Sequence, residues 1–472
     1  MGSDEKARPA AKRISSPVPG GKSSWRYSRV KTPPAAVADG LAARDVAVSA
    51  LFSVFAEKRA FDDAFTKAAA TRNLEPRDRA FARLISASVL RHHGELRAVI
   101  GRFLAKPLPE HQGRLEHILL AAAAQLLILQ TPPHAAISLA VDQCRADGSA
   151  RRFDKLTNAV LRRVSEQGRE IMASLDPVAL NTPAWLLARW ERTFGSEMAR
   201  VIAQTSLREA PLDLTVKSDP EAWAEKLGGM LLPSGSVRIS GAGRIEDLAG
   251  YNEGAWWVQD AAAALPVRLL GDISGMDVAE LCAAPGGKTA QLALAGAHVT
   301  AIDKSPGRLN RLKTNLDRLG LTAETQVADA SEFAPGRQFD AILIDAPCTA
   351  TGTIRRHPDI LHLKRDEDIA ALAELQARIL DRAAASVKRG GVLVYCTCSL
   401  EPEEGSGQIS RFLLAHPGYR RIPILAAEIL AEPGWVTPAG ELRTLPSHLA
   451  DLPEGMRGLD GFYAAKLVRT AS

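Results

Sequence analysis

The chain has 472 residues, of which 46% are hydrophobic and 24% are charged, a composition typical of globular domains that bury a sizeable core. Its longest apolar run, residues 118–129, is far shorter than the roughly 20 residues that a membrane span needs. The charged N-terminus lacks the apolar segment of a signal peptide, so we expect a cytoplasmic protein. Five cysteines in so long a chain do not form a disulfide scaffold and indicate reduced thiols.

The positive net charge belongs to the N-terminal tail. The whole chain carries +5, whereas residues 1–31 alone carry eight basic and two acidic side chains, which leaves −1 for the remainder. Residues 1–38 also contain Pro, Gly and Ser at a density typical of disorder. We therefore predict a basic, disordered tail that contacts phosphates nonspecifically, with an inert leader as the alternative.

Residues 39–168 have the sequence pattern of a compact all-helical domain. Apolar side chains recur at helical intervals in successive segments, and prolines separate these segments. The last of them, FDKLTNAVLRRVSEQ, carries an apolar stripe beside basic residues that include Arg162 and Arg163. This basic face is either a solvated surface or a contact for RNA backbone.

A change of pattern separates two further regions. Residues 169–250 mix the helical segments PAWLLARWERTF and PEAWAEKLGG with the strand-like PLDLTVK, which predicts a small α+β connector. From residue 251 to residue 472, the β-compatible segments MDVAEL, HVTAID, ETQVAD, FDAILID and GVLVYCTCS alternate with helical ones. That alternation predicts βαβ units around a mostly parallel sheet, a Rossmann-like α/β domain.

Ligands of such a sheet bind at the carboxyl ends of its strands. The first strand ends in ELCAAPGGKTA, whose tight turn lets backbone amides approach a ligand beside a helix N-terminus. It is not a phosphate loop, because Cys282 stands where that motif needs its first glycine. Asp303 ends the second strand, where an acid typically binds ribose hydroxyls, and Asp329 ends the third. Either aspartate alone could be a helix N-cap, but together with the turn they indicate a nucleoside site.

The fourth and fifth strands each bring a cysteine to the same rim. Asp345 and Cys348 follow the fourth strand, and Cys396 and Cys398 follow the fifth. A single buried cysteine is usually structural, but two at neighbouring strand ends beside a nucleoside site indicate chemistry. These cysteines could also supply three zinc ligands. The sequence offers no second close cysteine pair or adjacent histidine cluster, so we expect no metal.

The strings CAAPGGKT, DAPCTATGTIRRHPD and YCTCSLEPEE resemble the signature motifs of the Nol1/Nop2/Sun family of RNA cytosine-C5 methyltransferases. GAWWVQDAAAALP and LDGFYAAKL resemble the flanking elements of that family, so the resemblance covers residues 251–469. The helical region, which ends in KLTNAVLRRV, resembles the fold of the antitermination factor NusB. This combination is similar to the bacterial 16S rRNA methyltransferases of the Sun/Fmu (RsmB) type, although the basic tail is not part of the family pattern.

The resemblance implies S-adenosyl-L-methionine as the cofactor and gives each strand-end residue a role. The cofactor cradle would be one continuous segment, which consists of Cys282, Ala283, Ala284, Pro285, Gly286, Gly287 and Lys288. Asp303 would bind the ribose and Asp329 would lie near the adenine. Asp345 would line the same site and face the target cytosine. Cys398 would be the nucleophile, and Cys348 would assist release of the product.

Elementary chemistry agrees with these implied roles. Carbon 5 of cytosine is too electron-poor to attack a methyl sulfonium, and a thiolate that adds to carbon 6 makes it nucleophilic. Asp345 would stabilise this adduct at ring N3, and Cys348 would serve as base or proton relay. The target base must be unstacked, which favours a loop or partly unfolded RNA. Arg355 and Arg356 would then hold its phosphates, the alternative being that they only keep the surface soluble.

The leading hypothesis is therefore an S-adenosylmethionine-dependent cytosine-C5 methyltransferase of 16S rRNA that acts as a monomer. The nearest alternative is the same chemistry on tRNA or 23S rRNA, since only the NusB-like region favours 16S rRNA. A non-catalytic RNA-binding or antitermination module with a vestigial methyltransferase fold is a second alternative. It is disfavoured because both cysteines, Asp345 and the glycine-rich turn are all present.

Overall fold

The computed structural model describes residues 40–109, 111–241 and 243–470. The predictions made for the basic tail, residues 1–38, lie outside this part of the chain. The described residues up to 173 form seven α-helices, namely α1 (Leu41–Glu57), α2 (Phe61–Ala70), α3 (Pro76–Arg91), α4 (His93–Gly101), α5 (Leu115–Leu127), α6 (Pro133–Ala146) and α7 (Asp154–Ala173). The prediction of an all-helical N-terminal region is confirmed.

The helical region packs around α5. The sequence of α5, LEHILLAAAAQLL, is apolar on nearly every side, and all of its residues from Leu115 to Leu126 except Glu116 are buried. By contrast, α7 buries only one stripe, which includes Val160 and Val164. Its opposite face stays in solvent.

The next region contains short helices and a small antiparallel sheet. Its elements are α8 (Pro177–Asn181), α9 (Ala184–Phe194), α10 (Ser196–Ser206), β1 (Leu212–Val216), α11 (Pro220–Lys226), β2 (Met230–Leu231), β3 (Val237–Ile239) and β4 (Trp256–Val258). The strand order is β2-β3-β1-β4, and Leu214 of β1 lies opposite Val258 of β4. The boundary predicted at residue 250 therefore cuts through this sheet, because β4 follows it in the chain. Composition does not reveal that pairing.

The remaining residues form the large α/β region. Its elements are α12 (Ala261–Arg268), β5 (Asp277–Leu281), α13 (Gly287–Leu294), β6 (His298–Asp303), α14 (Pro306–Leu319), β7 (Glu324–Val327), β8 (Phe339–Asp345), α15 (Ile360–Leu363), α16 (Asp366–Ala385), β9 (Val387–Thr397), α17 (Ser406–Ala415), β10 (Tyr419–Ile422), β11 (Leu442–Thr444) and β12 (Phe462–Arg469). No helix in the described ranges is long and apolar enough to cross a bilayer.

The topology of this sheet places the candidate site. The strand order is β10-β12-β9-β8-β5-β6-β7, with β11 added beside β12. Strands β5 to β9 are parallel, whereas β10, β11 and β12 pair in antiparallel fashion. The chain runs outward from β5 through β6 to β7 and then returns to the other side of β5 as β8. The ends of β5 and β8 therefore flank the crevice where such sheets bind ligands.

Candidate active site

A strained turn forms one wall of the crevice after β5. Cys282 has a φ of 63° and Gly286 a φ of 103°, both in the left-handed region that favours glycine. A Cβ atom on Gly286 would lie 2.6 Å from Cγ of Leu312, so a larger residue does not fit at this position without a shift of its neighbours. The turn brings the first residue of α13 directly to the end of β5, where its free backbone N–H groups attract an anion or a polar ligand.

Asp303 connects β6 to this turn. Its side chain is 2% exposed and accepts hydrogen bonds from the backbone N–H groups of Ala284 at 3.2 Å and Ser305 at 2.9 Å. Arg308 on α14 forms an ion pair with Asp303 at 3.3 Å and also donates to the carbonyl oxygen of Ala284. Asp303 thus shapes the turn as well as lining the crevice.

Asp329 lies beyond the end of β7 and is exposed. It caps the short 3-10 helix Ala330–Glu332, because its carboxylate accepts from the Ser331 hydroxyl at 2.7 Å and the Ser331 backbone N–H at 2.8 Å. These hydrogen bonds lower the pKa of Asp329. The N-cap alternative raised from the sequence is therefore observed, and the adenine contact stays a prediction.

Lys288 and Asp345 form an ion pair on the floor of the crevice. Nζ of Lys288 lies 2.7 Å from Oδ2 of Asp345 and 4.9 Å from the centre of the Phe462 ring. Burial opposes the charge of Lys288, but the attraction of Asp345 outweighs it and raises the pKa of the ammonium group. The motifs in the sequence indicate both residues but give no sign that they pair.

The two candidate catalytic thiols lie together. Sγ of Cys348 is 3.5 Å from Sγ of Cys398, and both side chains are half-buried. They meet because β8 and β9 are parallel neighbours, with Asp345 opposite Cys396 at their ends. The hydrogen bond to Cys398, together with burial, raises the pKa of the Cys348 thiol well above its ordinary value. Either sulfur can donate this hydrogen bond.

Cys396 differs from these two cysteines. It is fully buried, and burial raises the pKa of its thiol well above the ordinary value. Its Sγ lies 3.8 Å from Oδ1 of Asp345. Within the described ranges, no three or more His, Cys, Asp or Glu residues are grouped so that they could hold a metal ion.

The prediction that Arg355 and Arg356 hold RNA phosphates does not fit the structure. The Arg355 side chain is 1% exposed and lies 3.0 Å from Asp460 and 3.4 Å from Asp260. Arg356 lies 2.5 Å from Asp260 and 3.0 Å from Asp460. Guanidinium groups that are paired with two carboxylates in this way are not available to a phosphate. They instead hold the segment after Cys348 against Asp260 and Asp460. Their partners are about a hundred residues away in sequence, so local patterns could not reveal them.

Arg162 and Arg163 behave differently. Both are exposed on the outer face of α7, while their neighbours Leu161 and Val164 are buried. The structure is compatible with either interpretation of this face, a solvated surface or an RNA contact. The RNA contact stays a prediction.

The parallel sheet, the crevice at its switch point and the paired thiols on its rim define the class of Rossmann-like methyltransferases, here joined to a helical domain. The family model described as "16S rRNA methyltransferase RsmB/F" matches residues 270–468, and the NusB family model matches residues 41–166. The chain belongs to this RsmB/F family of 16S rRNA methyltransferases. The family resemblance and fold class predicted from the sequence are thereby confirmed.

Curated relatives match along most of the chain. A "Ribosomal RNA small subunit methyltransferase B" from Yersinia enterocolitica is 35% identical over 417 residues, which cover 84% of this chain and 92% of that relative. A protein of the same name from Xylella fastidiosa is 36% identical over 455 residues and is covered completely, with 92% of this chain matched.

Two solved structures show the same fold. PH0851 has a TM-score of 0.68 at 23% identity over 92% of this chain and 100% of that chain. NSun6 from Pyrococcus horikoshii, solved with SFG, has a TM-score of 0.51 at 21% identity over 61% of this chain and 98% of that chain. At this level of identity, the likeness concerns the fold alone.

Proposed function

We propose that this protein uses S-adenosyl-L-methionine to methylate carbon 5 of a cytosine in 16S rRNA through a covalent cysteine adduct. The observation that carries the proposal is the 3.5 Å separation of the Cys348 and Cys398 sulfurs on the rim of the crevice. One thiol can add to a base while the other accepts or donates a proton beside it. The membership in a family described as 16S rRNA methyltransferases supports the substrate class.

The residues of the crevice fit the cofactor. The Gly286 turn keeps side chains out of the space beside the start of α13. Oδ1 of Asp303 accepts one backbone hydrogen bond, whereas Oδ2 accepts another and also pairs with Arg308, so a lone pair of Oδ1 is left for a ribose hydroxyl. When bound, S-adenosylmethionine supplies an electrophilic methyl group. Residues 282–288 and Asp303 would hold it, and we infer that Asp329 lies at its adenine end.

Cys398 is the nucleophile in this proposal. Its thiolate adds to carbon 6 of cytosine, and the electrons of the C5–C6 double bond make carbon 5 nucleophilic. After carbon 5 has been methylated, Cys348 acts as a proton relay: it takes the proton from carbon 5 and passes its own thiol proton to the departing Cys398 sulfur. The C5–C6 double bond re-forms as the bond between carbon 6 and the Cys398 sulfur breaks. The 3.5 Å contact between the two sulfurs places them for this transfer.

Asp345 connects the thiols to the cofactor side. The charge of Lys288 and the 2.7 Å contact hold its carboxylate in place. From the end of β8, we infer that this carboxylate accepts a hydrogen bond from the N4 amino group and another from ring N3, which carries a proton in the adduct, and so stabilises the adduct. Lys288 thereby orients Asp345 and also neutralises part of its charge.

A methylation assay on three protein-free transcripts tests the proposed function. We expect label from S-adenosylmethionine on 16S rRNA but not on 23S rRNA or tRNA, and mass spectrometry of the digested product should find 5-methylcytosine. Label on tRNA or 23S rRNA alone would reject the substrate. Binding of S-adenosylmethionine without transfer to any RNA would instead favour a non-catalytic RNA-binding module.

A further inference from the structure

A buried carboxylate lies between the segments that follow the two cysteines. Glu404 is 0% exposed. The backbone N–H of Thr349, the residue after Cys348, donates to both of its oxygens at 3.0 and 3.2 Å, and the Thr349 hydroxyl donates to Oε2. The hydroxyl of Ser399, the residue after Cys398, donates to Oε2 at 2.5 Å. One carboxylate thus binds the chain neighbours of both thiols.

Glu404 is itself held in place. Nε2 of Gln376 donates to Oε1 of Glu404 at 3.0 Å and to the carbonyl oxygen of Pro347, the residue before Cys348, at 2.9 Å. The hydroxyl of Tyr395 donates to the backbone carbonyl of Glu404 at 2.8 Å. Because these groups are buried and hydrogen-bonded, the carboxylate has little freedom to follow a shift of either cysteine segment.

The chemistry of the cluster requires a carboxylate at this position. Every group that contacts the Glu404 oxygens is a donor in these hydrogen bonds, and an ionised carboxylate is the side chain that only accepts. A glutamine of the same shape would turn an N–H group toward one of these donors. The hydroxyls of Thr349 and Ser399 would then have to accept from that N–H group instead of donating to a carboxylate, so the charge-assisted hydrogen bonds that join the two segments would be lost and the segments would be held less tightly.

We propose that Glu404 is a positioning residue that fixes the 3.5 Å separation of the Cys348 and Cys398 sulfurs. It contacts neither sulfur and acts through Thr349 and Ser399. Its effect on catalysis rests on the proposed function, whereas its effect on the geometry of the two thiols does not. If one thiol is displaced by one ångström, the two sulfurs no longer share a hydrogen bond. The effective concentration of each thiol at the other then falls, and any reaction that needs both becomes slower.

The test compares Glu404→Gln with Glu403→Gln in the full-length protein. Glu403 is the adjacent residue, but its side chain is exposed and pairs with Arg189, away from the thiols. A dithiol oxidant of the diazenedicarboxamide class converts the two thiols to a disulfide while its N=N bond takes up both hydrogens. The rate of the Cys348–Cys398 cross-link, mapped by mass spectrometry, then reports how often the sulfurs are in contact.

We expect the cross-link to form at least fivefold more slowly in Glu404→Gln and at the wild-type rate in Glu403→Gln. In the methylation assay, kcat of Glu404→Gln should fall at least tenfold, while KM for RNA and Kd for S-adenosylmethionine change less than twofold. If Glu404→Gln does not fold, Ser399→Ala removes one of the four donors and should slow cross-linking about threefold.

An unchanged cross-linking rate in a folded Glu404→Gln protein would overturn the inference, whatever happens to methylation. A kcat loss with normal cross-linking would have the same consequence. Slow cross-linking in Glu404→Gln, combined with a wild-type protein that forms no 5-methylcytosine, would support the positioning role and reject the proposed function instead.

Discussion

Asp303 has an observed structural role and a proposed binding role in one side chain. It accepts hydrogen bonds from Ala284 in the glycine-rich turn and from Ser305, and we propose that it binds the ribose of the cofactor. We expect Asp303→Ala to raise Kd for S-adenosylmethionine at least tenfold in isothermal titration calorimetry, because both contributions are lost. At saturating cofactor, kcat should change much less. Asp317→Ala, which changes an exposed aspartate on α14, is the control, and an unchanged Kd in Asp303→Ala would contradict the ribose assignment.

Arg355 is expected to matter for stability rather than for RNA affinity. Arg355→Met leaves Asp260 and Asp460 with one fewer cation in a buried site, which typically costs about 3–5 kcal/mol. We predict a clear decrease of the urea unfolding midpoint, with no change in Arg382→Met, an exposed arginine on α16. If Arg355→Met were as stable as wild type but bound RNA more weakly, the phosphate role predicted from the sequence would be restored.

Residue positions could be predicted where one strand carries its own signal. Asp345 ends an apolar strand, Cys348 follows it after Ala346 and Pro347, and Cys398 directly follows another strand, so their place on one rim could be inferred from the sequence. The pairing of Lys288 with Asp345 depends on side chains 57 positions apart. The role of Glu404 depends on donors from three separate segments. Such contacts leave no trace in local periodicity.

Among the elements, α5 carries a histidine whose protonation should affect stability. His117 is 9% exposed and packs edge-on against Phe52 at 5.7 Å, and burial lowers its pKa from 6.5 to about 4. Between pH 6.5 and about pH 4, His117 is therefore protonated in the unfolded chain and neutral in the folded chain. Stability contributed by neutral His117 is present above pH 6.5 and is lost as the pH falls toward 4.

We expect His117→Gln to reduce the loss of unfolding free energy between pH 7 and pH 5 by about 2 kcal/mol. Urea denaturation at both pH values measures this difference. His134→Gln, which removes an exposed histidine of α6, is the control and should leave the pH dependence unchanged. An identical pH dependence in wild type and His117→Gln would show that His117 is not buried in its neutral form.

The outer face of α7 provides a second element-level prediction. Arg162→Gln combined with Arg163→Gln should weaken RNA binding and reduce the slope of log Kd against log salt by about 1.5, since two phosphate contacts are lost. Cofactor affinity should not change. The same double change at Arg244 and Arg420, exposed arginines outside the helical region, is the control. If the α7 variant keeps the wild-type salt slope, the RNA contact is rejected and this face is a solvated surface.

The five parallel strands of the large sheet were predicted, whereas β10 and β11 were not. Strands β5 to β9 follow the segments chosen from the sequence. Strands β5, β6, β8 and β9 are mostly buried apolar runs, whereas β7 (ETQV) is largely exposed. Strands β10 and β11 have four and three residues and exist because they pair with β12. Strand β4 likewise depends on β1, so the connector extends further than composition indicated.

In the molecule as a whole, the helical domain contacts the segment that follows Cys348. The backbone N–H of Phe61 donates to Asp359 at 2.9 Å, and Arg91 donates to the carbonyl oxygen of Arg355 at 3.0 Å. If the helices bind RNA as predicted, that RNA is held by a body that contacts the segment following Cys348, the proposed proton relay. This arrangement gives a physical reason for joining a NusB-like domain to a methyltransferase.

The most direct test of the central claim is the identity of the cysteine that becomes linked to RNA. Cys348→Ala should accumulate a covalent RNA–protein adduct that survives denaturing gels, because release of the product is impaired. Mass spectrometry of the digested adduct should place the nucleotide on the peptide that contains Cys398, and Cys398→Ala should form no adduct while still binding S-adenosylmethionine. An adduct through Cys348 that persists in Cys398→Ala would contradict the assignment and reverse the two roles.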